Sequence, residues 1–247
     1  MFSAIFNRSF ELLGRHFVLV FGTAFFIMGL PSVLGALYLY NLTGQTTDSL
    51  FESLFTQGWP TALYAVLSVA LYLINYSVIT EIAVTGIART QWRLGEALRR
   101  SLVNIVPLMI LFVLCGLMIG LGFLLLIVPG IILMLALSVA CTAYIAEGKT
   151  GIFEAIQRSF DLTRGHRWSL LGVYLCLGLL QWVVGAIAEA PLIFVGEGLP
   201  QPLLIGASTL ISTMSDAFSL VFSVAAYVCL RQAREGQPAD SAADVFN

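Results

Sequence analysis

The sequence predicts an all-α membrane protein: six transmembrane helices in three hairpins, each preceded by a cytoplasmic amphipathic helix lying in the interface. Composition, the spacing of long apolar runs and the placement of basic residues predict it together. Of 247 residues, 59% are hydrophobic and 11% charged, with mean hydropathy +0.93, whereas soluble domains are about 45–50% apolar and ~25% charged. A helix needs about 20 apolar residues to cross the ~30 Å hydrocarbon core. Six runs meet that need, at about 17–40, 59–88, 104–127, 131–148, 168–188 and 203–230. They leave no room for a separate soluble domain, so 1–235 reads as one membrane domain and 236–247 as a disordered cytoplasmic tail.

All twelve Lys and Arg residues fall on alternate sides of these runs in one consistent sense. Arg8 and Arg15 precede the first; Arg89, Arg93, Arg99 and Arg100 lie between the second and third; Lys149, Arg158, Arg164 and Arg167 lie between the fourth and fifth; Arg231 and Arg234 follow the sixth. The opposite loops carry acids, Asp48, Glu52 and Glu197. Basic residues accumulate on the cytoplasmic side, so both termini are expected on that side. Anionic lipid accounts for the basic face, and no nucleic-acid partner is expected.

The first run is too long for a signal-peptide core, which spans about 7–15 residues, and is expected to be a retained span. Before it stands Arg8-Ser9-Phe10-Glu11-Leu12, and before the fifth run stands Arg158-Ser159-Phe160-Asp161-Leu162, with His16 and His166 in matching positions. A shorter copy, Glu96-Ala97-Leu98-Arg99-Arg100-Ser101, matches Glu154 to Ser159 at Glu, Ala, Arg and Ser. Three units are expected, about 1–90, 91–148 and 149–235, related by an axis along the membrane normal. Within 151–164, Ile152, Phe153, Ile156 and Phe160 share one face and Glu154, Gln157, Arg158, Asp161 and Arg164 the other, the pattern of an interfacial helix. Arg158 with Asp161, and Arg8 with Glu11, are spaced to pair on the helix surface.

Gly116 and Gly120 on the third run form a small-residue face that permits close helix approach, within the bundle or in a dimer. Pro129-Gly130 reads as the turn between the third and fourth runs. Cys115, Cys141, Cys176 and Cys229 fall inside apolar runs, without the close spacing of a metal site. They read as small packing residues.

Two groups of residues are candidates for function. The Arg-Ser pairs, Arg8-Ser9, Arg100-Ser101 and Arg158-Ser159, combine a bidentate fork with a hydroxyl, which suits a phosphate or lipid headgroup or a docking partner; simple anchoring at the interface explains them as well. The second group lies at membrane depth, where ionisable side chains are costly and usually face a bundle interior or a cavity. Asp216 sits mid-run with Thr209, Ser212, Thr213, Ser219 and Ser223 along its side. Glu81, flanked by Ser77 and Thr85, together with Asn75 and Glu147, is placed to line a cavity open to the cytoplasm. Interhelical hydrogen bonding, at about 0.6 kcal/mol per contact, is the alternative.

The run Val128-Pro129-Gly130-Ile131-Ile132, then Glu147, Gly151-Ile152-Phe153-Glu154-Ala155 and Arg158-Ser159 through Leu162-Thr163, resembles the signature of the YciC-like bacterial membrane proteins. It is similar also to the membrane domain attached to some bacterial glycerophosphodiester phosphodiesterases. The resemblance covers about residues 95–235. It implies a six-helix inner-membrane protein linked to lipid or glycerophosphodiester metabolism. It does not bring the phosphodiesterase activity, whose soluble domain opens on His-Arg-Gly; here His166-Arg167 is followed by Trp168.

The expectation is therefore a non-enzymatic protein without cofactor or metal that binds, organises or moves membrane lipids or another amphiphile. An assembly or regulatory subunit docking a protein partner on the cytoplasmic face is the alternative, and a proton-coupled small-solute transporter centred on Asp216 a third. Oligomeric state is not legible.

Overall fold

The structure, a computed structural model, describes residues 2–43, 58–87, 94–148, 151–195 and 199–236. Arg89, Trp92, Arg93, Lys149, Asp48, Glu52, Glu197 and the tail beyond Gly236 lie outside these residues. Among the described residues every element is helical: α1 (Phe2–Thr23), a π-helical segment (Ala24–Gly29), α2 (Leu30–Thr43), α3 (Trp59–Ile87), α4 (Leu94–Val103), α5 (Ile105–Leu125), α6 (Ile127–Leu137), α7 (Ala140–Glu147), α8 (Ile152–Thr163), α9 (Arg167–Val195) and α10 (Gln201–Glu235). Six stretches of the described residues are long and apolar enough to cross a membrane: Phe2–Asn41, Trp59–Val84, Ile105–Leu125, Ile127–Glu147, Arg167–Ala188 and Gln201–Glu235.

The last helix is the axis of the molecule. Of its most apolar window 67% is buried, against 17% for α9, and it packs against α1, the π segment, α2, α3, α7, α8 and α9. A helix surrounded by protein can carry polar residues that a lipid-facing one cannot. That is why α10 has both the richest polar pattern and the deepest burial. The outer helices show the reverse: Leu175, Leu179, Trp182 and Ile187 of α9, and Val113, Leu117 and Leu121 of α5, are exposed.

Three expectations change in the structure. The turn between the third and fourth spans falls at Leu126, whose backbone is extended, while Pro129 and Gly130 belong to the first turn of α6. Proline suits that turn because its missing N–H would have no intrahelical partner there. The close approach is made by other glycines than expected. A Cβ on Gly130 would lie 2.5 Å from the Phe123 ring and one on Gly122 3.0 Å from Gly130 Cα, whereas Gly116 and Gly120 face open space. Those two glycines therefore do not join α5 to its neighbours in the bundle.

The third change concerns α8. Its inward face is Ala155, Ile156, Ser159, Leu162 and Thr163, packed on α5, α6, α7 and α10, while Phe153 is exposed. The face turns away from the predicted stripe because protein, not lipid, receives it. The same register recurs in α1, where Ile5, Ser9, Leu12 and Leu13 are buried, and in α4, where Ala97 and Ser101 are buried. At His16 the α1 backbone leaves helical geometry (φ −124°, ψ 22°); after α8, one residue before the matching His166, Gly165 adopts φ +89° and the chain turns into α9. A side chain there would be strained.

Candidate functional site

The chain between α6 and α7 breaks in the middle of the fourth span, at Ser138–Val139. A broken helix inside an apolar environment leaves carbonyls that need donors. Ser159 Oγ of α8 donates to Ala136 O at 2.6 Å, Ser138 Oγ to Leu135 O at 2.9 Å, and Ser223 Oγ of α10 to Ser138 O at 3.4 Å. Nearby, the hydroxyls of Tyr76 and Thr142 share a hydrogen bond. Ser159 is thus spent inside the protein, with no exposure. Ser9 and Ser101 are also buried, and their hydroxyls return to Ile5 O and Ala97 O, both at 2.8 Å.

The arginines of these pairs behave differently from their serines. Arg158 does not pair with Asp161. Its Nε donates to Glu147 Oε1 at 2.7 Å and its Nη2 to Glu235 Oε1, so it ties the ends of α7 and α10 to α8. Arg231 Nε donates to Glu235 Oε2 at 3.0 Å and the Tyr227 hydroxyl to Glu147 Oε1 at 3.2 Å, completing a five-residue clasp. Burial alone would lower the Arg158 pKa, but the bonds from Glu235 and Glu147 outweigh it and raise the value above that of an ordinary arginine. The guanidinium is charged at every physiological pH. Arg8 pairs loosely with Glu11 at 3.8 Å, while Arg15 holds the same carboxylate at 2.9 Å.

The residues expected at depth do not share one setting. Glu81, buried at the end of α3, interacts electrostatically with Arg100 and Glu96 of α4, whereas Glu147 belongs to the clasp. Asp216 is half-buried on α10 and within electrostatic reach of Tyr72 of α3. Asn75 has no exposure and neither its amide nitrogen nor its oxygen has a hydrogen-bond partner. Ser212 is exposed and donates to Ser208 O at 3.0 Å; Thr209 and Thr213 likewise bond back to Ile205 O and Thr209 O. These hydroxyls satisfy their own helix.

Two cavities lie elsewhere. An apolar crevice of about 410 Å³ between α1, α9 and α10 is lined by Phe21, Leu180, Val184, Ala188, Leu210 and Phe218, with Gln181 and Ser215 as its polar members. The Gln181 amide donates to Ser215 O at 2.8 Å and to the Ser219 hydroxyl. Gln181 was legible as the lone amide in an otherwise apolar run. The second cavity, about 530 Å³, lies where α8, the turn at Gly165 and the end of α10 meet, and is lined by Arg158, Asp161, Leu162, Arg164, Arg234 and Glu235. The joining of Glu235 to Arg158 and of Arg234 to Arg164 was not legible, because these partners stand 77 and 70 residues apart in the chain.

Compared with known proteins, the chain matches the description "Uncharacterised protein family (UPF0259)" over residues 49–220. It is similar to a UPF0259 membrane protein of Pectobacterium carotovorum subsp. carotovorum (strain PC1), 30% identical over 139 residues, which is 55% of this chain and 52% of that relative. The chain thus spans about half the length of that curated relative. No solved structure matches it.

Proposed function

The chain belongs to the UPF0259 family of membrane proteins, and from that premise we propose that it is a non-enzymatic protein that binds, organises or moves a membrane lipid or related amphiphile. The observation that carries the reading is the crevice between α1, α9 and α10. Its volume of about 410 Å³ falls in the ~300–1,000 Å³ range of ligand sites, and its wall continues into the exposed apolar face of α9 at Leu179, Val183 and Ile187. In a membrane such a face meets acyl chains. Gln181 and Ser215 place a few polar atoms in an otherwise hydrocarbon wall, as orienting groups do in ligand pockets.

In this reading the protein sits in a bacterial cytoplasmic membrane with both termini inside. Three units, each an inward-packed helix followed by two spans, build the bundle; the shared buried register of α1, α4 and α8 supports them. The resemblance to membrane domains attached to glycerophosphodiester phosphodiesterases leans the same way. The test is lipid analysis of gently extracted protein against bulk lipid of the same membranes, with an Ala188→Phe variant that fills the crevice. Enrichment of a lipid on the native protein, lost in the variant while its elution and melting are unchanged, is expected. Bulk composition on both would overturn the proposal.

A further inference from the structure

We propose that the cavity at the α8–α10 end is a headgroup site for a phosphate ester carrying a primary ammonium, of the phosphoethanolamine type. The inference rests on the lipid-handling reading and names its ligand's polar end. The cavity carries charge that its own ion pairs do not take up. Five charged side chains line the cavity, Arg158, Asp161, Arg164, Arg234 and Glu235. Arg158 and Glu235 are spent on one another and on Glu147 and Arg231. Among the described residues Asp161 and Arg164 make no ion pair, with each other or elsewhere, although they stand three residues apart at the end of one helix. Arg234 gives one Nη2–H to Arg164 O at 3.1 Å and keeps its remaining donors.

The free charges are therefore two guanidinium groups and one carboxylate. A phosphodiester presents one negative charge and acceptor oxygens that match guanidinium forks, and an adjacent ammonium presents three donors for a carboxylate. A phosphoethanolamine group satisfies all three side chains. A headgroup bearing only hydroxyls leaves Asp161 facing a phosphate without a cation, a like-charge arrangement that costs binding. The turn at Gly165 and the buried Leu162 give the cavity an apolar floor beside its charged rim, and the volume of about 530 Å³ holds such a group.

The test uses the full chain purified in mild detergent, with phosphatidylethanolamine and phosphatidylglycerol added in equal amounts and the bound species counted by native mass spectrometry. A second arm adds soluble glycerophosphoethanolamine or glycerophosphoglycerol alone, which separates a freely diffusing ester from a lipid. The native protein is expected to retain the ethanolamine form over the glycerol form by about threefold to fivefold, as exposed charge pairs allow. Asp161→Asn is expected to bring that ratio to one, and Arg164→Ala with Arg234→Ala to reduce retention of both. All three residues are exposed, so folding should survive, and the melting curve of each variant checks it. No ethanolamine preference in either arm, or a preference unchanged in Asp161→Asn, would overturn the site. Loss of preference in that variant with crevice-bound lipid retained separates this proposal from the lipid-handling reading, which fails if the native protein and Ala188→Phe both carry the bulk lipid composition.

Discussion

Ser159 and Arg158 are neighbours in the chain with opposite assignments. The helix turns the serine inward onto a broken span and the arginine along the surface to two carboxylates. Ser159→Ala removes the donor from Ala136 O in a fully buried place, which should cost about 1–3 kcal/mol. Ser9→Ala and Ser101→Ala remove only bonds to their own helix, and the change should stay within about 0.5 kcal/mol. Thermal unfolding of the three variants in one detergent checks this difference. For Arg158, a double-mutant cycle with Glu147→Gln should return a coupling of about 1 kcal/mol, between the small values of exposed pairs and the larger ones of buried pairs. A coupling near zero would mean that the contact at 2.7 Å adds no stability.

Among the helices, the close packing of α5 against α6 depends on the absence of two side chains. Gly130→Ala puts a Cβ 2.5 Å from the Phe123 ring and 2.8 Å from its backbone nitrogen, so backbone must move; the expected loss is about 1–3 kcal/mol. Gly116→Ala and Gly120→Ala meet nothing within 4 Å and should leave the melting temperature unchanged or slightly raised, since alanine favours helix by up to ~1 kcal/mol over glycine. Comparing the melting of these variants separates a glycine that permits contact from one that merely occupies a lipid-facing position. The π-helical segment also ends on a closely packed glycine. Gly29, at its end, lies against α10, where a Cβ would meet Leu210 at 3.3 Å and Thr213 at 3.5 Å. π segments often mark functional sites, and this one touches the helix that carries Asp216.

For the molecule as a whole, the central position of α10 ties the proposed functions together. It lines the apolar crevice through Met214 and Phe218 and the charged cavity through Arg234 and Glu235. A ligand at either cavity therefore meets the same helix. In the proposed orientation, a reporter fused at either terminus should be active only when it is one that works in the cytoplasm. A periplasm-active reporter working at either terminus would reverse the orientation drawn from the arginines.

The helical class and the six long apolar stretches were legible in the chain, because apolar length is a local property that lipid selects directly. The six runs needed only counting, and the pairing of Arg8 with Glu11 only helical spacing. The partners of Arg158 were not legible. Glu147 and Glu235 stand 11 and 77 residues away, and only the packing of α8 against α7 and α10 brings them nearer than Asp161, which shares its helix. Tertiary structure also decided which glycines touch and where the third span turns. It set the serines of the Arg-Ser pairs inward, because a pattern along one helix names its faces but not the neighbour that each will meet.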